Sequence, residues 1–251
     1  MKRKGIILAG GNGTRLAPLT TVVTKQLLPV YDKPLIFYPL SLLLKLDIRD
    51  ILIICSSWET LNLYMKLLHK VKANITYKIQ EQPLGIAHAF ILGEDFIGDS
   101  NTCLVLGDNI FYGSLVNNLP DWVDTEKNFI CGLKVEDPTR YGVMEFHDNN
   151  TLEKIVEKPA TPPSKYAVPG LYFFDSSVVQ RAKQIKPSPR GELEIVDIIN
   201  SYINDERMSY NILPDDTVWF DCGNVDHLLE AGNFVAAIQK RTGQILGNIY
   251  V

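Results

Sequence analysis

The sequence lacks several features that would have fixed its class at once. No apolar run reaches the roughly 18 residues that a membrane-spanning helix needs. The longest candidate, Pro34 to Ile48, is broken by Pro39, Ser41, Lys45 and Asp47. The basic start Met1-Lys2-Arg3-Lys4 leads into an apolar stretch of only Ile6 to Ala9, too short for a secretory leader. Cys55, Cys103, Cys131 and Cys222 form no C-x-x-C pair, and three of them sit in or beside apolar, strand-like runs, where buried free thiols are expected. His69, His88, His147 and His227 show no metal-ligand spacing and read as structural or surface residues. No G-x-S-x-G occurs, which leaves Ser/His/Asp hydrolysis without support. Positive charge is not in excess either: 25 Lys+Arg against 29 Asp+Glu leaves a net charge of −4. General affinity for nucleic acid or an anionic membrane is therefore not expected. These absences together point to a reduced, cytoplasmic protein.

What is present is an ordinary globular composition. Over 251 residues, 46% are hydrophobic and 22% charged, which excludes disorder, collagen-like repeats and coiled coil. Through residue 110, short apolar runs alternate with helical patterns. Gly5–Ala9, Asp50–Cys55, Ile75–Ile79 and Cys103–Leu106 read as buried strands, and Leu35–Leu46, about Glu59–His69 and Gly85–Leu92 as helices. Continuous Val/Ile/Leu strands separated by helices indicate parallel strands covered on both faces. Such sheets bind ligands beyond the carboxyl ends of their strands, and two polar clusters follow strands here: Gly10–Arg15 and Gly107-Asp108-Asn109.

The second half differs. Phe129–Val135, Gly142–Phe146, Thr151–Val156 and Tyr166–Phe174 are closely spaced strand patterns, as in antiparallel hairpins added to the sheet. Helices follow at about Ser176–Gln184, Leu193–Asn204 and His227–Lys240. The expected fold is α/β: a Rossmann-like, mostly parallel central sheet flanked by helices, with an antiparallel extension. A single domain over 1–251 is expected, with a nucleotide-binding half over about 1–112 and a completing half over about 113–251.

The strongest local signal is Leu8-Ala9-Gly10-Gly11-Asn12-Gly13-Thr14-Arg15-Leu16. Three glycines after a buried strand let backbone N–H groups approach a polyphosphate, and Arg15 and Lys25 add fixed positive charge. The usual phosphate motifs do not fit. A Walker loop needs a terminal Gly-Lys-Ser/Thr, and a Rossmann fingerprint from Gly11 would need Gly or Ala where Leu16 stands. A plain strand-to-helix turn is the competing reading. Asp108, ending a strand, is equally compatible with a turn or helix cap.

The order of motifs along the chain resembles the sugar-phosphate nucleotidyltransferase family. The glycine segment is followed by Thr24-Lys25-Gln26-Leu27-Leu28-Pro29-Val30-Tyr31-Asp32-Lys33-Pro34, then Leu106-Gly107-Asp108-Asn109-Ile110-Phe111-Tyr112-Gly113 and Arg140-Tyr141-Gly142-Val143. Glu157-Lys158-Pro159, Tyr166–Tyr172 and Arg190-Gly191-Glu192-Leu193-Glu194-Ile195 complete the series. The resemblance implies transfer of a thymidylyl group from dTTP to α-D-glucose 1-phosphate, giving dTDP-glucose and pyrophosphate, the first step toward dTDP-rhamnose or related deoxysugars. It implies Mg²⁺ as cofactor, held by Asp108 and by Asp221 in Val218-Trp219-Phe220-Asp221-Cys222-Gly223. It carries Arg15 and Lys25 to the triphosphate, and Leu8, Gly10, Gly11, Gly13, Thr14, Gln26, Gln80, Pro83 and Gly85 to the nucleotide. Glu157, Asn109, Tyr141, Gly142 and Gly170 are carried to the sugar, with Lys158 and Arg190 on its phosphate. Arg15, Lys25, Asp108 and Lys158 are the catalytic set.

Those residue types suit the reaction. A sugar phosphate is already ionised near neutral pH, so attack on the α-phosphorus needs no general base; the protein must align two anions and compensate their charge. An amide such as Gln26 or Gln80 donates and accepts together, as the edge of thymine or uracil requires, although a surface glutamine is the ordinary alternative. Glu-Lys-Pro is, taken alone, an exposed turn.

The sequence departs from the family pattern at Leu84, Pro169, Val196 and Cys222-Gly223-Asn224-Val225, around the expected pocket. The alternatives are the same transfer with UTP or another sugar 1-phosphate, and a non-catalytic sugar-nucleotide sensor, against which the retained aspartates and cations argue. A glycosyltransferase would be expected to carry Asp-x-Asp, which Gly107-Asp108-Asn109 lacks. The resemblance also implies a homo-oligomer, dimer or tetramer. The chain stops soon after Arg241-Thr242-Gly243, where longer relatives continue into a helical segment. A short form with weakened or absent end-product allostery is therefore expected.

Overall fold

A computed structural model describes residues 3–11, 13–113, 115 and 128–250. In chain order its elements begin β1 (Lys4–Leu8), β2 (Pro29–Val30), β3 (Lys33–Pro34), α1 (Phe37–Lys45), β4 (Asp50–Cys55), α2 (Trp58–Leu68) and β5 (Asn74–Ile79). Next come α3 (His88–Leu92), α4 (Glu94–Ile97), β6 (Thr102–Leu106), β7 (Asn109–Tyr112), β8 (Asn128–Lys134), β9 (Gly142–Phe146) and β10 (Leu152–Glu157). The rest are β11 (Tyr166–Val168), β12 (Leu171–Phe174), α5 (Val178–Gln184), α6 (Ile195–Asn204), β13 (Met208–Ile212), β14 (Val218–Asp221) and α7 (Val225–Thr242). They form two units. The first holds the described residues of Met1–Arg3, Leu84–Leu104 and Gly113–Thr217; the second holds those of Lys4–Pro83, Val105–Tyr112 and Val218–Val251.

In the second unit the strands follow the order β6-β1-β4-β5, Val105 and Leu106 being its share of β6. β4 runs parallel to both neighbours, with Gly5 opposite Ile51 and Asp50 opposite Asn74. The central strand β4 is apolar after Asp50 because both its faces are covered: Ile51–Cys55 are fully buried. Helix α1 is buried from Phe37 to Leu44, which explains why its sequence is apolar all round. β7 and β14 pair antiparallel, Asn109 opposite Asp221. Ile110 and Cys222 then pack with Val30, Leu35, Tyr38, Ala231, Val235 and Leu246.

The first unit carries the order β10-β9-β11-β8-β12-β6, its part of β6 being Thr102–Leu104. β8 pairs antiparallel with β11 and β12, and β9 with β10 and β11, as the closely spaced strand patterns predict. β13 adds to β8 in parallel. The fold is thus α/β as expected, with the β1-β4-β5 parallel strands in the second unit and most of the antiparallel pairing of the large sheet in the first.

Most expected elements lie within a few residues of the observed ones; the differences have local causes. The helix expected from Gly85 starts at His88, because Gly85 has φ +96° and lies outside helical space. The run expected as one strand over Tyr166–Phe174 divides at Pro169-Gly170, where proline offers no N–H to the ladder.

Candidate functional site

In the second unit, the glycine segment leaves the end of β1. The Leu8 carbonyl accepts the Gly107 N–H at 2.9 Å. A Cβ on Gly107 would stand 3.0 Å from that same oxygen, so the close approach of these two strand ends needs glycine. Gly11 and Gly13 have φ of +98° and +57°, backbone that L side chains avoid. Gly13 is fastened through its carbonyl, which accepts the Thr20 hydroxyl at 2.8 Å. Asn12 lies outside the described residues. Thr14 and Arg15 are exposed in a single tight turn anchored by fully buried Leu16. The Arg15 guanidinium lies over Gly223, where an added Cβ would sit 2.9 Å from Nη2.

The segment after it turns at Lys25–Leu27. Gln26 is buried, its Oε1 accepting the Thr24 hydroxyl at 2.7 Å and its Nε2 donating to the Gly10 carbonyl at 3.4 Å. Gln80, also buried, has its Oε1 3.5 Å from where a Gly10 Cβ would be. Both expected base-reading glutamines therefore lie beside Gly10, and neither is a surface residue. Pro83 is in the exposed loop after β5.

Lys25 Nζ ion-pairs with Asp108 Oδ2. The Asn109 amide donates to Asp108 Oδ1 at 2.9 Å and accepts Trp219 Nε1 at 2.7 Å. Burial alone would raise the Asp108 carboxyl, but the Lys25 ammonium and the Asn109 amide outweigh it and hold it below the usual carboxylate range. Asp221 arrives through the β7–β14 pairing, and Cys222 N–H donates to the Asp108 carbonyl at 2.9 Å. Asp108, in the turn just before β7, and Asp221, the last residue of β14, thereby lie at the same end of this strand pair, 113 positions apart in sequence. His227, expected among structural or surface histidines, places Nδ1 on the Asp221 carboxylate. Burial, followed by the negative charges of Asp108 and Asp221, pushes the Cys222 thiol up, which makes it a poor nucleophile.

Two carboxylates at one end of the β7–β14 pair suit a hard divalent cation, which takes one or two carboxylates and completes its shell with phosphate oxygens and water. Among the described residues no three His, Cys, Asp or Glu side chains converge into a complete cage. The donor set present thus fits a cation that arrives with phosphate.

In the first unit, Gly85 sits against Leu193: a Cβ would lie 2.4 Å from the Leu193 carbonyl oxygen, and Leu193 N–H donates to the Leu84 carbonyl at 2.8 Å. Gly142, opening β9, pairs with Glu157, closing β10. A Cβ there would meet Ile155 and Val196 at 3.2 Å and Glu157 Oε2 at 3.6 Å. The Tyr141 carbonyl accepts the Lys158 N–H at 2.9 Å. Lys158 has φ +43°, a left-handed conformation uncommon for lysine that turns the chain at the end of β10. Its Nζ lies 3.0 Å from Glu157 Oε1, and Arg190 Nη2 lies 3.1 Å from the same oxygen. Arg190 also holds both oxygens of Glu194, at 2.9 and 3.0 Å. Gly170 is buried between β11 and β12. Glu157, Lys158 and Arg190 are thus brought together, with Tyr141 and Gly142 beside them, whereas Asn109 belongs to the Asp108 cluster of the second unit.

Sequence reasoning missed Gly107, Trp219, Gly223 and His227. Gly107 and Gly223 had a readable signal, each standing within two residues of an aspartate at a strand end. Trp219 had none, since its partner is set by the β7–β14 pairing, and His227 meets Asp221 only through the shape of the turn into α7.

Charge arranged this way handles phosphate, and the parallel strands beneath it put the chain among α/β nucleotide-handling proteins. The chain belongs to the nucleotidyl transferase family, whose model matches residues 4–238, a family that generally uses a divalent metal. It is 48% identical over 242 residues to the glucose-1-phosphate thymidylyltransferase of Neisseria meningitidis, covering 94% of this chain and 84% of that one. The crystal structure of a candidate glucose-1-phosphate thymidylyltransferase from Bacillus anthracis, in complex with a sucrose, superposes with a TM-score of 0.84 at 38% identity, covering 92% of this chain and 94% of that chain. A UDP-glucose pyrophosphorylase complexed with UDP-glucose also gives a TM-score of 0.84, at 25% identity, covering 96% and 100%.

Proposed function

We propose that the protein transfers a thymidylyl group from dTTP to α-D-glucose 1-phosphate, releasing pyrophosphate. The observation that carries this reading is the strand pairing that sets Asp221 beside Asp108, with Lys25 on Asp108 and Arg15 over the Gly223 turn. A phosphate oxygen of the sugar attacks the α-phosphorus in line. A new P–O bond forms as the bond to the bridging oxygen breaks, and that electron pair leaves with pyrophosphate. Arg15 and Lys25 hold the triphosphate and neutralise the charge that grows on the leaving group. Leu8, Gly10, Gly11, Gly13 and Thr14 bring main-chain groups to the nucleotide, Gln26 and Gln80 read the pyrimidine, and Pro83 and Gly85 flank the base. Asp108 and Asp221 hold Mg²⁺, which when bound withdraws charge from the phosphate oxygens.

Lys158, with Arg190 in support, takes the sugar phosphate by exchanging Glu157 for it. Glu157, Asn109, Tyr141, Gly142 and Gly170 recognise the sugar. Residues 1–251 work as one nucleotidyltransferase domain in a homo-oligomer, dimer or tetramer, in the cytoplasm, at the head of a route to a dTDP-linked deoxysugar. The free, buried cysteines are at home in a reducing compartment, and among the described residues no helix is long and apolar enough to cross a membrane.

Incubation with Mg²⁺, each common nucleoside triphosphate and a panel of sugar 1-phosphates, with products weighed by mass spectrometry, tests the proposal. dTDP-glucose should dominate. A strong preference for UTP would move the chain to UDP-sugar synthesis, and no product from any pair would favour a sensor.

A further inference from the structure

We propose that His227 is a positioning residue for Asp221, holding that carboxylate in the orientation needed to take the divalent metal. The inference rests on the reading of Asp221 as a metal ligand and adds to it a residue that motif comparison did not single out.

The geometry starts at the end of β14. Asp221 is its last residue, and the chain then turns at Cys222-Gly223 into α7. Asn224 caps that helix by accepting the His227 N–H on its side-chain oxygen at 2.8 Å, so the backbone of His227 is fixed one turn into the helix. Its side chain reaches back over the turn. Nδ1 lies 3.0 Å from the Asp221 carbonyl oxygen and is hydrogen-bonded to Asp221 Oδ1. Both of these partners only accept, so Nδ1 must carry the proton and donate. The same carbonyl accepts the Gly223 N–H at 2.6 Å, which tightens the turn around it.

A carboxylate at a strand end rotates easily about its last torsion, since that torsion has no sharp rotamer wells. Tying Oδ1 arrests the rotation. Asp108 is held in a corresponding way, its Oδ1 taking the Asn109 amide. Oδ1 of each proposed ligand is therefore fastened by a nearby N–H donor, one from the next residue and one from the first turn of α7, while Lys25 takes the other oxygen of Asp108. Removing a group that orients a metal ligand in this way typically costs about 10–100-fold in metal affinity.

The test measures metal binding rather than turnover. Mn²⁺ is titrated into the protein of residues 1–251, free Mn²⁺ is read from its EPR signal, and thermal unfolding in EDTA checks each variant's fold. Asp221→Asn should weaken binding strongly. His227→Ala should weaken it about tenfold, and His227→Asn, whose amide can donate where Nδ1 did, should recover most of the loss. If His227→Ala binds Mn²⁺ like the wild type while Asp221→Asn does not, the positioning role is overturned and the ligand reading stands. If His227→Asn binds as weakly as His227→Ala, the hydrogen bond is not the cause, and the inference is again overturned. If Asp221→Asn binds normally, the ligand reading fails and the inference falls with it.

Discussion

The two charged regions of the molecule are built on different terms. In the second unit, the Lys25 and Asp108 side chains are only 16% and 15% exposed, and each Asp108 oxygen has its own partner. In the first unit, Lys158 and Arg190 are 46% and 43% exposed and share one oxygen of Glu157. A part-buried pair with assigned partners holds one geometry. Exposed ion pairs are each worth about 0–1 kcal/mol, so an incoming anion exchanges them cheaply. Phosphoryl chemistry needs the first arrangement, because misplacement of reacting charges is costly. Recognition of a soluble sugar phosphate is served by the second.

The comparison is most exposed at Asp108. Asp108→Asn keeps the shape and removes the charge that holds Lys25 and, in the proposed reading, the metal. Turnover at saturating Mg²⁺ should fall about 100-fold or more, with smaller changes in the KM of either substrate. Near-wild-type turnover would break the contrast at its strongest point. Lys158→Ala tests the other region. One charge-assisted contact to phosphate is worth about 1.5–3 kcal/mol, so the KM for glucose 1-phosphate should rise about tenfold to a hundredfold while that for dTTP hardly moves. Steady-state kinetics with each substrate varied in turn would show it, and equal losses for both would contradict the assignment.

The same contrast decides what could be read from sequence. Parallel strands announce themselves by unbroken apolar runs such as Ile51-Leu52-Ile53-Ile54, and glycine loops by their position after them. β13 and β14 escaped: Met208–Ile212 is only partly buried or exposed along its length, and Val218–Asp221 is four residues long. Their role depends on partners far away in the chain, Asn128–Gly132 and Asn109–Tyr112. The proposed site residues were legible where motifs carry them, but their partnerships were not. Lys25 meets Asp108 across 83 positions of chain, and His227 meets Asp221 through the turn before α7. No local pattern encodes the first, and the second depends on the turn geometry rather than on a recognised motif.

If place and not rigidity alone marks chemistry, a rigid carboxylate outside the proposed site should be silent in catalysis, and the first unit supplies one. Asp175 follows β12 and accepts from the Ser177 hydroxyl at 2.5 Å, Tyr202 at 2.9 Å, Asn128 at 3.0 Å and Arg207 at 2.7 Å. Its side chain is 17% exposed. Burial pulls its carboxyl up, but the bonds from Ser177, Asn128 and Tyr202 outweigh burial and hold it below the usual range. An acid whose pKa is lowered on folding contributes stability that is full above its unfolded pKa of about 3.9. That contribution fades as pH falls through the lower folded value. Asp175→Asn turns an amide toward these donors and should cost about 1.5 kcal/mol at pH 7, with kcat and both KM values unchanged. Denaturant melts at a series of pH values should show the gap between wild type and variant narrowing below about pH 4, as the wild type loses the charge the variant never had. A gap that persists unchanged to pH 2 would assign the loss to packing instead, and a fall in kcat would show that a fixed carboxylate in the first unit also serves the reaction.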